Sequence, residues 1–106
     1  MRLAGVEWEE EKNMANKRKH KGLSFEIARY VFSDPERLER RDASAGNLSG
    51  EERWQTLGMV GRVLFVVYTE RGENKRLISA RLAEKHERRS YNGHYHIDSK
   101  GWTKTT

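Results

Sequence analysis

The most continuous apolar segment of the chain is the run VLFVVY at residues 63–68. Six consecutive apolar residues predict a strand that is buried in the core. Polar residues follow at 69–71, and the sequence GEN at 72–74 predicts a turn. Residues 75–81 then predict a second strand, so the whole segment is expected to form a hairpin.

The polar end of this hairpin has a composition that core stability alone explains poorly. Side chains alternate between the two faces of a strand, so Thr69 and Arg71 share a face. On the returning strand, Ser79 and Arg81 share a face for the same reason. Hydroxyl and guanidinium groups on one side of a rigid hairpin indicate a surface that faces an anion.

The N-terminal third of the chain predicts a short strand and two helices. Residues 1–8 are expected to form an edge strand, and residues 9–21 a surface helix. The first turn of that helix is acidic and its last turn is basic, which complements the helix dipole. Ser24 is a good N-cap for the second helix. This helix ends at 34–35, because proline disfavours the helical conformation in the residue before it.

The rest of the chain completes an α+β fold: a small antiparallel sheet of about four to five strands with two N-terminal helices and a C-terminal helix. The remaining predicted elements are a charged strand at 36–42, a loop at 43–52, a strand at 53–60, a helix at 82–91 and a tail at 92–106. Residues 1–91 are expected to form a single domain. The tail is expected to be loosely ordered, with Trp102 lacking a predicted packing partner.

Charge and composition narrow the functional classes. The 106 residues carry a net charge of +5, which favours nucleic acid, an acidic protein or an anionic membrane surface as partner. Cysteine is absent, which excludes disulfides, thiolate zinc sites and a cysteine nucleophile. His94 and His96 can share a face of an extended tail, but no third ligand is evident, so no metal site and no cofactor are expected. Without a long apolar run or a signal-peptide core, a cytoplasmic protein is expected.

An ordered set of short motifs resembles the BrnT toxins, part of the wider RelE/ParE-like group of toxin–antitoxin systems. The motifs are Trp8 with Glu9 and Lys12, Asn16 followed by Lys19-His20, GLSFE at 22–26, Asp34-Pro35, VVYTER at 66–71, ISAR at 78–81, ERR at 87–89 and Tyr91. Lys21 departs from the family pattern, because it separates His20 from Gly22.

The resemblance implies a function and partners. The family's fold is RelE-like, of the microbial-ribonuclease type, and its activity is metal-independent cleavage of mRNA, which inhibits translation and growth. A BrnA-like antitoxin with a ribbon–helix–helix fold is expected to neutralise the toxin. The expected assembly is a heterotetramer of two toxins and two antitoxins that binds operator DNA through the antitoxin. A membrane is not an expected partner.

RNA cleavage needs a base for the 2′-hydroxyl, positive charge for the phosphorane and an acid for the leaving oxygen. The candidate catalytic residues are Lys19, His20, Glu70, Arg71, Arg81 and Tyr91, with Glu51 or Glu52 as further possible bases. The candidate RNA-binding residues are Lys12, Arg53, Arg76, Ser79 and Arg88. Arginine suits phosphate because its planar fork donates two hydrogen bonds at once.

Structural roles compete with these assignments. Arg81 can pair with Glu87 or Glu70, His20 can favour a helix dipole, and Tyr91 can pack on the sheet. Two other functions stay open: a non-catalytic nucleic-acid-binding or corepressor module, and a toxin of this fold with another target such as gyrase. A phosphate-sized cluster of Lys19 or His20 with Arg71, Arg76 or Arg81 favours the nuclease, whereas scattered residues favour the binding module.

Overall fold

The strands predicted in the middle of the chain form the centre of one sheet. A computed structural model describes residues 2–3, 5–43, 51–94 and 100–105. Within these residues the strands are β1 (Arg2–Leu3), β2 (Val6–Glu7), β3 (Leu38–Asp42), β4 (Arg53–Val60), β5 (Arg62–Arg71), β6 (Asn74–Leu82) and β7 (Thr103–Lys104). Their order in the sheet is β1-β2-β6-β5-β4-β3-β7.

Neighbouring strands are antiparallel throughout this described sheet, except that β2 and β6 are parallel. The predicted α+β fold is confirmed, and the expected antiparallel strands are the four longer ones, β3 to β6. The two-residue strands β1, β2 and β7 extend this sheet at its edges. Of the predicted loop at 43–52, residues 44–50 lie outside the described part of the chain.

Helices near the N-terminus cover one face of the sheet. The first, α1, spans Glu10–Lys19, and α2 spans Phe25–Ala28. The second predicted helix is α-helical only at first, because a 3-10 helix at Arg29–Ser33 continues it. The predicted N-cap is confirmed, since the Oγ of Ser24 accepts a hydrogen bond from the Ile27 amide at 3.2 Å. The core on this face consists of Val6, Trp8, Phe25, Ala28, Val31, Leu64, Val66, Tyr68, Leu77 and Ala80.

The C-terminal part of the chain covers the opposite face. The helix predicted at 82–91 is shorter, because Leu82 still belongs to β6 and α3 spans Lys85–Arg89. A turn at Ser90–His94 follows α3, with a break in its helical backbone at Gly93, whose φ is 108°. The core on this face consists of Leu38, Leu57, Val63, Phe65, Val67, Ala83 and Trp102, with Ile78 and Tyr91 packed against it.

Trp102, for which the sequence predicted no packing partner, packs on the sheet within the described residues 100–105. Its side chain is 4% exposed and packs edge-on against the Phe65 ring, with 6.3 Å between ring centroids. The guanidinium of Arg40 lies 4.1 Å from the Trp102 ring centroid, and β7 pairs with β3. An indole is large enough to fill a gap on the sheet, which holds the segment in place. The division of the chain at residue 91 stays a prediction.

No helix in the described residues is both long and apolar enough to cross a membrane.

Candidate active site

Asn16 fixes the end of α1 against the edge of the sheet. Its Nδ2 donates to the carbonyl of Ala80 at 2.9 Å, and its Oδ1 accepts from the Ala80 amide at 3.0 Å. The side chain thus pairs with β6 as a neighbouring strand does, and it also donates to the Leu23 carbonyl at 3.1 Å. Asn16 is buried, so these hydrogen bonds are shielded from water.

Asn13 anchors the same helix one turn earlier. Its Oδ1 accepts from the Phe25 amide at 2.8 Å, and its Nδ2 donates to Glu26 at 2.8 Å. The buried face of α1 therefore consists of two asparagines rather than an apolar stripe. Because the helix is held at defined backbone atoms, the residues at its C-terminal end have a defined position above β6.

The C-terminal end of α1 and the edge of β6 enclose a groove, called the α1–β6 groove here. One part is a cleft of about 290 Å³ lined by Lys19, His20, Lys21, Arg81, Leu82 and Glu84. An adjoining cleft of about 270 Å³ is lined by Lys12, Ala15, Asn16, Lys19, His20, Ile78 and Ser79. Both clefts share Lys19 and His20. The groove therefore unites five residues selected from the sequence: Lys12, Lys19, His20, Ser79 and Arg81.

His20 has the electrostatic surroundings of a base. Burial lowers the pKa of His20 below its ordinary value of 6.5, and the positive charges of Lys19 and Arg81 lower it further. A lowered pKa keeps the imidazole neutral at pH 7, and the neutral ring has a nitrogen that accepts a proton. The same cations that keep the ring neutral also attract an anionic substrate.

Arg81 forms the ion pair that the sequence left as an alternative. Its Nη1 and Nη2 donate to the two carboxylate oxygens of Glu87 at 2.8 and 2.9 Å. Its guanidinium also lies 4.0 Å from the centroid of the Phe65 ring. The hydrogen bonds that Arg81 donates to Glu87 are the main reason that the pKa of Arg81 is raised. Arg81 nevertheless remains 31% exposed at the groove.

The candidate catalytic residues do not all lie together, because the polar end of β5 is far from Arg81. Phe65 pairs with Arg81 and Arg71 pairs with Asn74, six residues further along β5. At roughly 3.3 Å per residue this separates Arg71 from Arg81 by about 20 Å. The C-terminal ends of two antiparallel neighbours lie at opposite ends of the sheet, so Glu70 and Arg71 lie at the turn.

Two arginines near the hairpin turn have acidic partners. Arg71 pairs with Glu51 at 3.2 Å. Arg76 pairs with Glu7 at 2.9 Å and with Glu9 at 3.2 Å. Arg53 lies in the same region, since its Cα partner in β5 is Thr69. Arg53 and Arg76, two of the candidate RNA-binding residues, therefore lie away from the α1–β6 groove.

Tyr91 and Arg88 lie on the face of the sheet that α3 covers. The Tyr91 hydroxyl donates to Asp34 at 2.5 Å. Burial and this hydrogen bond raise the pKa of Tyr91 above its ordinary value, so the hydroxyl is a weak proton donor. Arg88 donates to the Ala83 carbonyl at 2.8 Å and lines a separate cleft beside Arg62.

One group of side chains in the described residues has the spacing of metal ligands. Ligand atoms of Glu84, His86 and Glu87 lie within 4.8 Å of one another. Both carboxylate oxygens of Glu87 already accept hydrogen bonds from Arg81, so a cation there would compete with a guanidinium. Of the two histidines considered in the sequence, the side chain of His94 and the whole of His96 lie outside the described part of the chain.

Sequence reasoning gave no positioning role to the residues that hold the groove in place. Asn13 and Asn16 lie three residues apart on a helix with few apolar residues, and this spacing is the signal that marks a buried polar face. Glu87 appeared in the ERR motif and as a possible partner of Arg81, without a positioning role. A glutamate three residues after Glu84 has the spacing of a capping box, and both hydrogen bonds of that box are present.

A comparison with known protein families gives a match that covers the groove. A family model described as a ribonuclease toxin, BrnT, of a type II toxin–antitoxin system matches residues 8–87. A search of curated proteins gave no match. The matched segment begins before α1 and ends at Glu87, so it includes both walls of the α1–β6 groove.

Proposed function

Because the chain belongs to the BrnT family of ribonuclease toxins of type II toxin–antitoxin systems, we propose that it cleaves mRNA in the α1–β6 groove without a metal ion. The observation that carries this proposal is that Lys19, His20 and Arg81 line one cleft. A base and cations in one cleft are the combination that metal-independent cleavage requires.

His20 is the general base of the proposed reaction. Its neutral imidazole takes the proton of a ribose 2′-hydroxyl, and the 2′-oxygen then forms a bond to the adjacent phosphorus. The P–O5′ bond breaks as the pentavalent phosphorane collapses. The products are a 2′,3′-cyclic phosphate on one fragment and a 5′-hydroxyl on the other. The lowered pKa of His20 supports this role, because the ring is ready to accept a proton at neutral pH.

Lys19 and Arg81 stabilise the charge that builds on the phosphorane oxygens. Arg81 offers directed N–H donors, and Lys19, which lines both clefts, offers an ammonium. Lys19 also supplies the proton that the leaving 5′-oxygen takes up. Lys12 and Ser79, in the adjoining cleft, bind the neighbouring part of the RNA strand. Positive charge aimed at developing negative charge is a large catalytic contribution in a partly desolvated site.

A cognate antitoxin is the protein partner that membership of a type II system implies. We extend this to a BrnA-like ribbon–helix–helix protein in a two-to-two complex that binds operator DNA. Because mRNA is the substrate, the proposed site of action is the cytoplasm. The described groove is basic, so an acidic segment of the antitoxin is the chemistry that would cover it.

Arg81→Lys tests the nuclease against the alternatives. This variant keeps the charge and loses the fork, and its cleavage rate is expected to fall about 10²-fold, as for loss of one oriented donor in an anion-stabilising site. Arg71→Lys is the matched control, because it makes the same change about 20 Å away, roughly six residues along β5. The measurement is cleavage of purified RNA in the presence of a chelator, with mapping of new 5′ ends after induction in cells without antitoxin.

Three outcomes contradict the proposal in different ways. Loss of cleavage in Arg71→Lys but not in Arg81→Lys places the chemistry at the hairpin turn. RNA binding without new 5′ ends identifies a binding or corepressor module. Growth arrest with intact RNA identifies another target, such as gyrase.

A further inference from the structure

Arg81 is held in a single orientation by contacts on three sides. Its Nη1 donates to Glu87 Oε1 at 2.8 Å and to the Leu82 carbonyl at 3.1 Å. Its Nη2 donates to Glu87 Oε2 at 2.9 Å. The Phe65 ring lies against the plane of the guanidinium, 4.0 Å from ring centroid to Cζ. A planar group that is stacked on one face and paired along one edge cannot rotate without losing these contacts.

These contacts leave one edge of the guanidinium free. Arginine has five N–H donors in a fixed plane, and the contacts described use both on Nη1 and one on Nη2. The Nε–H and the second Nη2–H have no acceptor among the described residues. They lie side by side on the edge adjacent to the one that Glu87 occupies. Two parallel donors of this kind match two oxygens of one phosphate group.

Glu87 is itself rigid, which makes it suited to orient a neighbour. It is 2% exposed, and its Oε1 also accepts the Glu84 amide at 2.7 Å. Burial raises the pKa of the Glu87 carboxyl, but the hydrogen bonds from Arg81 and from the Glu84 amide outweigh it and lower the pKa overall. A carboxylate that ends a capping box moves only if the first turn of α3 moves.

We infer that Glu87 is a positioning residue that orients the free Nε–H and Nη2–H fork of Arg81 toward the non-bridging oxygens of a phosphodiester in the α1–β6 groove. This inference rests on the proposed function for its substrate. It assigns the Arg81–Glu87 ion pair a role beyond fold stability. A guanidinium on a free side chain would point its donors in many directions, and catalysis is sensitive to displacements of about 1 Å.

A double-mutant cycle on RNA cleavage tests whether Glu87 acts through Arg81. Glu87→Gln replaces one acceptor oxygen with a donor and is expected to lower kcat about 10- to 100-fold with KM nearly unchanged, since orientation acts in the transition state. The double variant with Arg81→Lys is expected to be no slower than Arg81→Lys alone. Additive losses, or an unchanged kcat in Glu87→Gln, would overturn the inference.

Two further variants keep this test independent of folding. Glu36→Gln is the matched control, because Glu36 pairs with Lys104 at 2.7 Å just before β3, three strands from β6. It is expected to cleave RNA at the wild-type rate. Glu87→Asp retains the charge and shortens the side chain by one methylene. If Glu87→Gln does not fold, Glu87→Asp takes its place in the cycle, with the same expected loss and the same contradicting result.

Phosphate binding tests the free fork without any cleavage. The Nε–H signal of Arg81, assigned by its absence in Arg81→Lys, is followed by nuclear magnetic resonance as inorganic phosphate is added. In the wild type this signal is expected to shift as phosphate is added. In Glu87→Gln no such shift is expected. An unmoved Nε–H signal in the wild type overturns the inference. If the wild type cleaves no RNA but the signal moves, the proposed function is contradicted. The inference that the free donors of Arg81 bind phosphate is then still supported.

Discussion

A neutral imidazole close to two cations is the residue-scale feature on which the proposed chemistry depends. His20 lies beside Lys19 and Arg81, and burial with these charges lowers its pKa below 6.5. The unfolded chain therefore binds a proton at His20 before the folded chain does as the pH falls. The contribution of neutral His20 to stability is complete above pH 6.5. It is lost as the pH falls from 6.5 through the lower pKa of His20 in the folded state.

His20→Asn is expected to slow RNA cleavage by about 10²- to 10⁴-fold, because the 2′-hydroxyl loses its base. In the wild type, kcat/KM is expected to fall as the pH drops through the His20 pKa, which lies below 6.5. The variant is expected to lack this acidic limb. The measurement is a pH–rate profile on purified RNA. His86→Asn is the control, since His86 lies on exposed α3 beside Glu84. An acidic limb that survives in His20→Asn would contradict the assignment.

At the scale of elements, α1 is a helix attached by hydrogen bonds rather than by apolar packing. Asn16 bonds to both backbone groups of Ala80, so α1 takes the place of a further strand along this part of β6. The short strand β2 pairs only with the start of β6, at Lys75 and Arg76. The groove exists because β6 has a helix, not a strand, beside its second half.

Asn16→Ala is expected to destabilise the fold by about 2 to 4 kcal/mol, because it leaves the buried amide and carbonyl of Ala80 without partners. The Ala80 amide is expected to exchange with solvent faster, and RNA cleavage to fall as Lys19 and His20 lose their fixed position. Urea unfolding and hydrogen exchange measure the two effects. Met14→Ala on the same helix is the control, since Met14 is 45% exposed. Equal stability of the two variants would contradict the role of Asn16.

At the scale of the whole molecule, one sheet separates two cores that different parts of the chain complete. N-terminal helices cover one face, and α3 with the described end of the tail covers the other. The α1–β6 groove lies at the edge where α1 and the start of α3 both reach β6. Residues from the N-terminal and C-terminal parts of the chain therefore both line the site. Its geometry depends on how α1 and α3 pack on the two faces of the sheet.

Trp102→Ala is expected to destabilise the protein by about 3 kcal/mol, the usual cost of removing a buried large aromatic side chain. The expected cause is loss of packing on Phe65 and Arg40. Thermal unfolding measures the effect. Lys104→Ala, an exposed position in β7, is the control and is expected to change stability by less than about 1 kcal/mol. A Trp102 variant as stable as the control would show that this segment contributes nothing to the core.

Local sequence predicted the elements whose cause is local. The apolar run at 63–68 became part of β5, Ser24 caps α2, and the charge pattern of 9–21 belongs to a surface helix. Propensity, capping and alternation act between residues close in the chain, so the local sequence is enough to predict the elements that they produce. The sequence also contained the residues that line the groove, Lys19, His20 and Arg81, among a larger set of candidates.

The sequence by itself determined the α+β class, the central hairpin and the family resemblance. Only the tertiary structure separated Arg81 from Arg71, because the direction and register of β5 and β6 decide which end of a hairpin a residue reaches. The tertiary structure also brings Asn16 to Ala80, 64 residues away, and packs Trp102 against Phe65. Contacts between residues distant in the chain depend on the register and packing of whole elements. A local sequence pattern does not specify that register or packing.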